Sequence, residues 1–323
     1  MITSFASHRV RYALAALVAV VALAAGPAMA EPVAPLVTPQ WLEQHRSDPD
    51  LVVLDIRSAI DGGGAEAYAR AHIPGSVHSD YDKAGWRVTR DGVPFMLPTA
   101  AELEKLIGET GIDEDSRVVI VPAGVSVTDF GAAARVYWTL KVAGHPAVSI
   151  LDGGFAAWQA AGYPVESGIN KPAPKIFTAR IDNSLLADLG AVEHNGGATL
   201  VDARPASYFD GKEKAPAAKA YGHIPGAINL DSARFYDPVT NRLRPKAEVD
   251  AIAAMLPAGP VTSYCNTGHW AATDWFVLSV MLGRPNVRLY DGSMVEWTAD
   301  PHRPVASSRT RFDDLKKLLG LGS

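Results

Sequence analysis

The 323-residue chain has a single cysteine, Cys265, and no excess of basic residues. One cysteine excludes an internal disulfide, so Cys265 is a free thiol, half of an intermolecular bridge or a reactive group. The nine histidines and the cysteine show neither the CxxC nor the HExxH spacing of metal sites. The net charge of −5 provides no basic field for nucleic acid. We therefore predict no metal, no other cofactor and no nucleic-acid partner.

The N-terminus carries the three parts of a secretory signal peptide. Arg9 and Arg11 precede an apolar run, and Ala28-Met29-Ala30 has the small-x-small form of a cleavage site. The apolar run is short for an uncleaved membrane anchor, which is the alternative. Removal of residues 1–30 takes away two arginines and no acidic residue, so the net charge falls from −5 to −7. We predict a periplasmic or secreted protein without stable membrane association after cleavage.

Several segments of the chain occur twice, 139 to 151 residues apart, which indicates two related domains. The pairs are Asp55-x-Arg57 with Asp202-x-Arg204, His72-Ile-Pro-Gly with His223-Ile-Pro-Gly, and Leu151-Asp-Gly-Gly through Trp158 with Tyr290-Asp-Gly-Ser through Trp297. Short apolar strands alternate with helical patterns such as residues 100–107 and 246–256. This alternation predicts an α/β fold in which each domain is a mainly parallel sheet flanked by helices.

The same pattern sets the expected domain bounds. A proline-rich stretch separates the two copies and is typical of a linker. We predict a signal peptide at residues 1–30, a first domain at 31–167, a linker at 168–178, a second domain at 179–306, and a tail at 307–323 with a helix candidate at 312–319.

Cys265 lies between an apolar strand at residues 261–264 and a helical pattern at 271–282. Ligands bind at the carboxyl ends of the strands of a parallel sheet. Free backbone N–H groups at a helix N-terminus favour the thiolate, which is the nucleophilic form of cysteine. We therefore predict that Cys265 is a catalytic nucleophile rather than a buried core residue. The first copy has Pro122 at the matching place, so we expect that copy to be catalytically silent.

Together these motifs resemble the tandem-domain rhodanese family of sulfurtransferases, from about residue 33 to about residue 305. The resemblance implies that Cys265 accepts a sulfur atom from thiosulfate or 3-mercaptopyruvate and forms a persulfide. A thiophilic acceptor, cyanide or a thiol, then takes the sulfur, which predicts ping-pong kinetics. The expected partners are therefore small molecules, an anionic donor and an acceptor.

The resemblance also implies roles for residues around Cys265. Asn266 and Thr267 stand where thiosulfate-preferring members have arginine and lysine, and Thr267 matches a hydroxyl of the mercaptopyruvate branch. That branch suggests a catalytic relay from Thr267 to His72 and Asp61 across the domain interface. Substrate-binding roles are expected for five residues: Asn266, Gly268, His269, Trp270 and Arg204.

Some of these roles have alternatives. Both copies carry the Asp-x-Arg and His-Ile-Pro-Gly motifs, so Arg204 and His72 equally fit roles in maintaining the fold. His269 fits either a titratable charge near the persulfide or a helix cap. The substrate-binding arginine usual in the family is replaced by Tyr208.

Two other protein classes use a similar loop or a similar thiol. A cysteine phosphatase needs an arginine six residues after the cysteine, where this chain has Ala271, so we exclude that class. A non-catalytic persulfide carrier or binding module remains the alternative function, and it would load with sulfur once and stop.

Overall fold

The computed structural model describes residues 34–308, which include both copies of the repeated motifs. The predicted signal peptide, residues 1–30, and the predicted C-terminal helix, residues 312–319, lie outside the described residues. Between residues 34 and 308, no helix has both the length and the hydrophobicity needed to cross a bilayer. We call residues 34–167 the first repeat and residues 179–306 the second repeat.

The first repeat contains a parallel sheet of five strands and a separate antiparallel hairpin. Its strands are β1 (Leu36–Val37), β2 (Leu51–Asp55), β3 (Val77–His78), β4 (Val88–Arg90), β5 (Val93–Met96), β6 (Arg117–Val121) and β7 (Val148–Leu151). The sheet order is β1-β7-β6-β2-β3, and β4 pairs with β5 to form the hairpin. Strands β6 and β7 are almost continuously apolar because helices cover both faces of the sheet.

The second repeat contains a shorter version of the same sheet. Its strands are β8 (Thr199–Asp202), β9 (Ile228–Asn229), β10 (Tyr236–Asp237), β11 (Arg242–Leu243), β12 (Val261–Tyr264) and β13 (Val287–Leu289). The parallel sheet has the order β13-β12-β8-β9, and β10 pairs with β11 in an antiparallel hairpin. The fold class predicted from the alternation of strands and helices is therefore confirmed.

Ten α-helices connect these strands in the described part of the chain. They are α1 (Pro39–His45), α2 (Ala65–Arg70), α3 (Ala100–Glu109), α4 (Val127–Val142), α5 (Gly154–Ala160), α6 (Leu189–His194), α7 (Ala206–Phe209), α8 (Lys246–Ala253), α9 (Trp270–Trp275) and α10 (Ser293–Trp297). Helix α9 continues as a π-helical segment, Phe276–Met281. The helical patterns predicted at 100–107, 246–256 and 271–282 correspond to α3, α8 and α9 with its π-helical extension.

Helices α4 and α9 join the two repeats. Nearly every residue of α4 is buried, because one side covers its own sheet and another packs on α9. The ring of Phe276 meets Phe130 at 5.8 Å and Tyr137 at 4.9 Å between centroids, both edge-on. Since α4 and α9 each follow a loop at a strand end, their packing brings those two loops toward the same interface.

Each repeat also extends its hairpin to the other repeat. Leu97, just after β5, donates its backbone N–H to Asp291 Oδ2 at 2.6 Å. In the reverse direction, Arg242 of β11 approaches Asp152 Oδ2 with its Nε at 3.5 Å. The first-repeat hairpin therefore lies beside the loops at the carboxyl end of the second sheet, where Cys265 follows β12.

Candidate active site

Cys265 follows directly after β12 and lies in a cavity of about 350 Å³. The second repeat lines this cavity with Asn266, Thr267, His269, Trp270 and the segment 215–217. The first repeat contributes Ile60, Arg87, Phe95 and Thr128. Although Cys265 itself is 1% exposed, Ile60 and Phe95 are 37% and 38% exposed, so the cavity reaches the molecular surface. We call it the Cys265 cavity.

Ser293 holds the loop that carries Cys265. Its Oγ accepts hydrogen bonds from the backbone N–H groups of Cys265 and Gly268, both at 3.0 Å, and donates to Tyr290 O at 2.8 Å. Ser293 is fully buried and has a φ of 50°, a left-handed conformation that non-glycine residues rarely adopt. The sequence identifies Tyr290-Asp-Gly-Ser only as a repeated motif, so the role of Ser293 was missed. The sequence did contain a signal for this role, because a serine follows Asp-Gly in the second repeat where a glycine follows it in the first.

The turn of the loop depends on Gly268. Its φ is 70°, and a Cβ atom there would collide with the Arg135 guanidinium and lie 2.8 Å from Asp291 Cα. The predicted Gly268 is therefore required by both backbone conformation and space. Its role is to shape the loop, because no side chain larger than hydrogen fits there.

Three backbone N–H groups of the loop have no acceptor. Within residues 34–308, the N–H groups of Asn266, Thr267 and His269 make no hydrogen bond. Buried backbone donors are nearly always paired, so three free ones beside a thiol mark a place for an anionic partner.

The first repeat has a loop with the same geometry. Phe155 N–H donates to Pro122 O at 2.8 Å, and Met294 N–H donates to Cys265 O at 3.1 Å. Pro122 is therefore the structural counterpart of Cys265, as the sequence repeat predicted. Since proline has no thiol, this loop cannot form a persulfide.

In the first repeat a carboxylate accepts hydrogen bonds from the backbone N–H groups of that loop. Asp129 accepts hydrogen bonds from Ala123 N–H at 2.9 Å, from Gly124 N–H and from Val125 N–H at 3.0 Å. Burial raises the pKa of Asp129 to about 6, so the group is a carboxylate at neutral pH. The loop of this fold thus binds a negative group at its backbone amides. In the second repeat the corresponding amides are those of residues 266–268, directly after Cys265; Gly268 N–H donates to Ser293, and the other two have no acceptor among the described residues.

Arg204 positions the loop from behind rather than lining the Cys265 cavity. It pairs with Asp202 through Nε at 2.8 Å and Nη2 at 2.6 Å, and Nη1 reaches Asn266 Oδ1 at 3.3 Å. Arg57 makes the matching pair with Asp55 in the first repeat. Arg204 is 1% exposed and does not line the Cys265 cavity, which contradicts direct contact with substrate, and its contacts fit the alternative role in maintaining the fold. Asn266 does line the cavity, with its side chain held by Arg204.

His269 joins the loop to the first repeat. Its Nε2 donates to Thr128 O at 2.8 Å, which leaves Nδ1 to accept from the Tyr81 hydroxyl at 2.8 Å. Burial, with further effects from Arg87 and Arg135, lowers the pKa of His269 to about 3. The lowered pKa contradicts the hypothesis of a charged His269 near the persulfide. His269 does occupy the N-cap of α9, as the other hypothesis predicted, but its side chain makes no capping hydrogen bond.

The neutral state of His269 predicts a pH dependence of stability. Its pKa is about 3 when folded and about 6.5 when unfolded, so below pH 6.5 the unfolded chain binds the extra proton. The wild type should then lose ~2 kcal/mol more than His269→Gln between pH 7 and pH 5. Urea denaturation of both proteins at the two pH values measures this. Equal losses would mean that His269 is charged or solvated in the folded protein.

Trp270 lines the Cys265 cavity and contacts both repeats. Its Nε1 reaches Thr128 Oγ1 at 3.4 Å, and its ring meets Tyr208 edge-on at 5.9 Å. Tyr208 stands where the family usually has an arginine, so this wall of the site is aromatic rather than cationic. Trp270 is correctly placed for the predicted contact with substrate.

The predicted relay from Thr267 to His72 and Asp61 is wrong. The two ring nitrogens of His72 are bound within the first repeat, to Tyr68 O at 2.8 Å and Glu166 Oε1 at 2.9 Å. Asp61 accepts from the N–H groups of Ser58 and Gly63. Neither side chain lines the Cys265 cavity. The contacts of His72 therefore stabilise its own repeat, and Thr267 lines the cavity without a contact to His72 or Asp61.

A buried arginine connects the hairpin to the loop. Arg135 of α4 donates to Thr267 O at 3.4 Å and to Phe95 O at 3.3 Å, and it pairs with Asp291 at 3.5 Å. Asp291 also accepts from Leu97 N–H. Arg135 and Asp291 therefore hold the first-repeat hairpin against the loop that carries Cys265 in the second repeat.

Two tandem parallel α/β units, with a cysteine at a strand end beside free amides, define an α/β protein with a thiol site between its repeats. The chain belongs to the rhodanese family, because the model of the Rhodanese-like domain matches residues 38–161 and 185–300. The resemblance stated from the sequence motifs is thereby confirmed.

The similar proteins extend over both repeats. A probable 3-mercaptopyruvate sulfurtransferase of Pseudomonas aeruginosa is 37% identical, over 85% of this chain and 98% of that protein. A thiosulfate sulfurtransferase of Gallus gallus is 30% identical, over 81% and 92%. The crystal structure of SseA, a 3-mercaptopyruvate sulfurtransferase from Escherichia coli, matches with a TM-score of 0.68 and 29% identity, over 81% and 99%.

Proposed function

We propose that this protein transfers a sulfane sulfur from thiosulfate or 3-mercaptopyruvate to cyanide or a thiol through a persulfide on Cys265. The chain is a sulfurtransferase, as its curated relatives are. The observation that carries the proposed mechanism is the position of Cys265 in an open cavity, beside three backbone N–H groups that have no acceptor among the described residues.

The first half-reaction loads the cysteine. The Cys265 thiolate attacks the outer sulfur of thiosulfate, a sulfur–sulfur bond forms, and sulfite leaves with the electrons of the broken bond. With 3-mercaptopyruvate the carbon–sulfur bond breaks, and the proton of the donor thiol ends on the methyl group of pyruvate. The free loop amides stabilise the terminal persulfide anion, in the way that the amides of residues 123–125 bind the Asp129 carboxylate.

The second half-reaction returns the enzyme to its starting state. Cyanide attacks the outer sulfur of the persulfide and leaves as thiocyanate, or a thiolate attacks and leaves as a persulfide. The Cys265 thiolate is regenerated in either case. No described residue other than Cys265 forms a covalent bond in this scheme, since it is the only thiol in the chain.

Steady-state kinetics test this function. With donor and acceptor varied together, we expect the parallel double-reciprocal lines of a ping-pong reaction, with thiosulfate or with 3-mercaptopyruvate. Intersecting lines would contradict a persulfide that forms before the acceptor binds. A protein that loads once and does not turn over would instead be the sulfur carrier that the sequence left as the alternative.

We also propose that the mature protein is exported. The support is the basic, apolar and small-residue pattern of residues 1–30. In a Gram-negative host we expect the full chain to yield a periplasmic product whose first residue is Glu31. N-terminal sequencing after cell fractionation measures this, and an intact N-terminus in the membrane fraction would contradict cleavage and favour an anchor.

A further inference from the structure

The charge of the Cys265 cavity comes from one residue of the first repeat. Of the described residues that line it, Arg87 alone carries a permanent charge, because His269 is neutral. Arg135 and Arg204 lie behind the loop, where they pair with Asp291 and Asp202. An anionic donor that enters this cavity can therefore meet one cation, Arg87.

Two aromatic rings and a carboxylate hold the Arg87 side chain, and one of its N–H donors remains unpaired among the described residues. Its guanidinium carbon lies 4.2 Å from the ring centroid of Tyr81 and 4.9 Å from that of Phe95. Nη2 pairs with Asp82 at 2.8 Å, and the side chain is 9% exposed. Its Nε is buried and has no hydrogen-bond partner in the described part of the chain. A buried, unpaired donor on a fixed cation is suited to binding an anion.

The rest of the cavity wall is largely apolar. Ile60, Phe95, Trp270 and the Ala-Pro-Ala segment at 215–217 line it. Phe95 has a φ of 70°, which is strained for a bulky residue. Arg135 donates to its carbonyl at 3.3 Å and so helps to keep this conformation, with the ring beside Arg87. Strain that is kept at a cavity wall is typical of a functional position.

We infer that Arg87 and Phe95 recognise the sulfur donor, and that the preferred donor is an organic monoanion with an apolar body, such as an aryl thiosulfonate, rather than inorganic thiosulfate. This inference rests on the proposed persulfide function. Since Asp82 already shares the charge of Arg87, the cavity cannot balance a dianion at low cost. The apolar walls offer a contact that thiosulfate cannot use and an aryl group can.

The chemical step is the same displacement with a different leaving group. The Cys265 thiolate bonds to the outer sulfur of R–SO2–S⁻, the bond between that sulfur and the sulfonyl sulfur breaks, and the sulfinate R–SO2⁻ leaves with the electron pair. The thiolate and the thiosulfonate carry one negative charge each, and so do the persulfide and the sulfinate that they form. The step is therefore balanced without another reactant. Arg87 is a substrate-binding residue in this step and makes no covalent bond.

Kinetics of the full chain with benzenethiosulfonate and with thiosulfate, each with cyanide as acceptor, test the inference. We expect the wild-type kcat/KM to be at least ~10-fold higher for benzenethiosulfonate. Arg87→Gln should raise the KM for benzenethiosulfonate ~10- to 100-fold with little change in kcat, the range expected for one charge-assisted contact. Arg87→Lys should recover part of that loss. Phe95→Ala should lower the preference for the aryl donor several-fold.

The matched control is Arg90→Gln, which removes the same charge three residues further along, at the end of β4, at a residue that does not line the cavity. We expect Arg90→Gln to behave as the wild type. The inference is overturned if thiosulfate is preferred, or if Arg87→Gln and Arg90→Gln change the KM equally. Mass spectrometry of the protein after reaction with each donor distinguishes failure of this inference from failure of the proposed function. A persulfide that forms in the wild type but is insensitive to Arg87→Gln refutes the inference alone, and no persulfide with any donor refutes both.

Discussion

Cys265→Ser is expected to reduce sulfur transfer to cyanide by at least ~10⁴-fold, with thiosulfate and with 3-mercaptopyruvate alike. A serine hydroxyl stays protonated at neutral pH and cannot carry a transferable sulfur. The free energy of unfolding should stay within ~1 kcal/mol of the wild type, because serine has nearly the shape of cysteine. Initial rates of thiocyanate formation and urea denaturation measure the two effects.

The control for this variant comes from the first repeat. Pro122→Ser places the same residue at the structural counterpart of Cys265, in a loop whose amides Asp129 already occupies. Its activity should stay within about twofold of the wild type, because that loop has no thiol. Activity that survives Cys265→Ser, or that is lost equally in Pro122→Ser, would contradict the assignment of the nucleophile.

Ser293→Gly should lower kcat/KM ~10- to 100-fold by releasing the loop around Cys265. Glycine tolerates the φ of 50° at this position, and the first repeat itself has Gly154 there with a φ of 60°. The variant therefore removes the two hydrogen bonds to the N–H groups of Cys265 and Gly268 without adding backbone strain. Each buried donor left without an acceptor costs about 1–3 kcal/mol.

Two further variants separate loop positioning from general destabilisation. Ser149→Ala removes a buried hydroxyl that donates to Ala34 O at 2.7 Å, away from the site, and should leave activity unchanged. Ser293→Ala should lose the same activity as Ser293→Gly and ~1 kcal/mol more stability, because alanine is strained at positive φ. An active Ser293→Gly protein would show that the loop holds its shape without the hydroxyl.

The fold and the position of the candidate nucleophile could be predicted because both follow from local sequence patterns. Strands end at Asp55 and Asp202, a helix follows each of them, and the pattern occurs twice. Cys265 was identified because a strand, a short polar loop and a helix are contiguous along the chain. Local patterns of this kind depend on periodicity and turn chemistry, which a single sequence shows directly.

The rest of the site depends on contacts between distant residues, and a single sequence does not show them. Tyr81 and His269 are 188 positions apart, and only the folded chain brings them together and buries His269, which lowers its pKa. His72 was assigned to the catalytic relay by resemblance, but its ring is used by Tyr68 and by Glu166, which is 94 positions away. Arg87 was missed for the same reason, because only the folded hairpin carries it to the cavity.

A comparison of the corresponding loops in the two repeats supports the role proposed for the loop amides. The loop of the first repeat binds an internal carboxylate, Asp129, with the amides of residues 123–125, whose counterparts are the amides of residues 266–268 after Cys265. The silent copy thus keeps a carboxylate at the amides of the loop that in the second copy carries the thiol. This internal comparison supports the view that the loop amides serve a negative charge, which in the second repeat is the thiolate or the persulfide.

The most direct test of the central claim is the mass of the intact mature protein after reaction with a sulfur donor and removal of excess reagent. We predict a gain of one sulfur atom, about 32 Da, that maps to the peptide containing Cys265 and disappears when cyanide is added. Cys265→Ser should show no gain. Thiocyanate produced at the normal rate by a protein that never gains this mass would contradict the persulfide account.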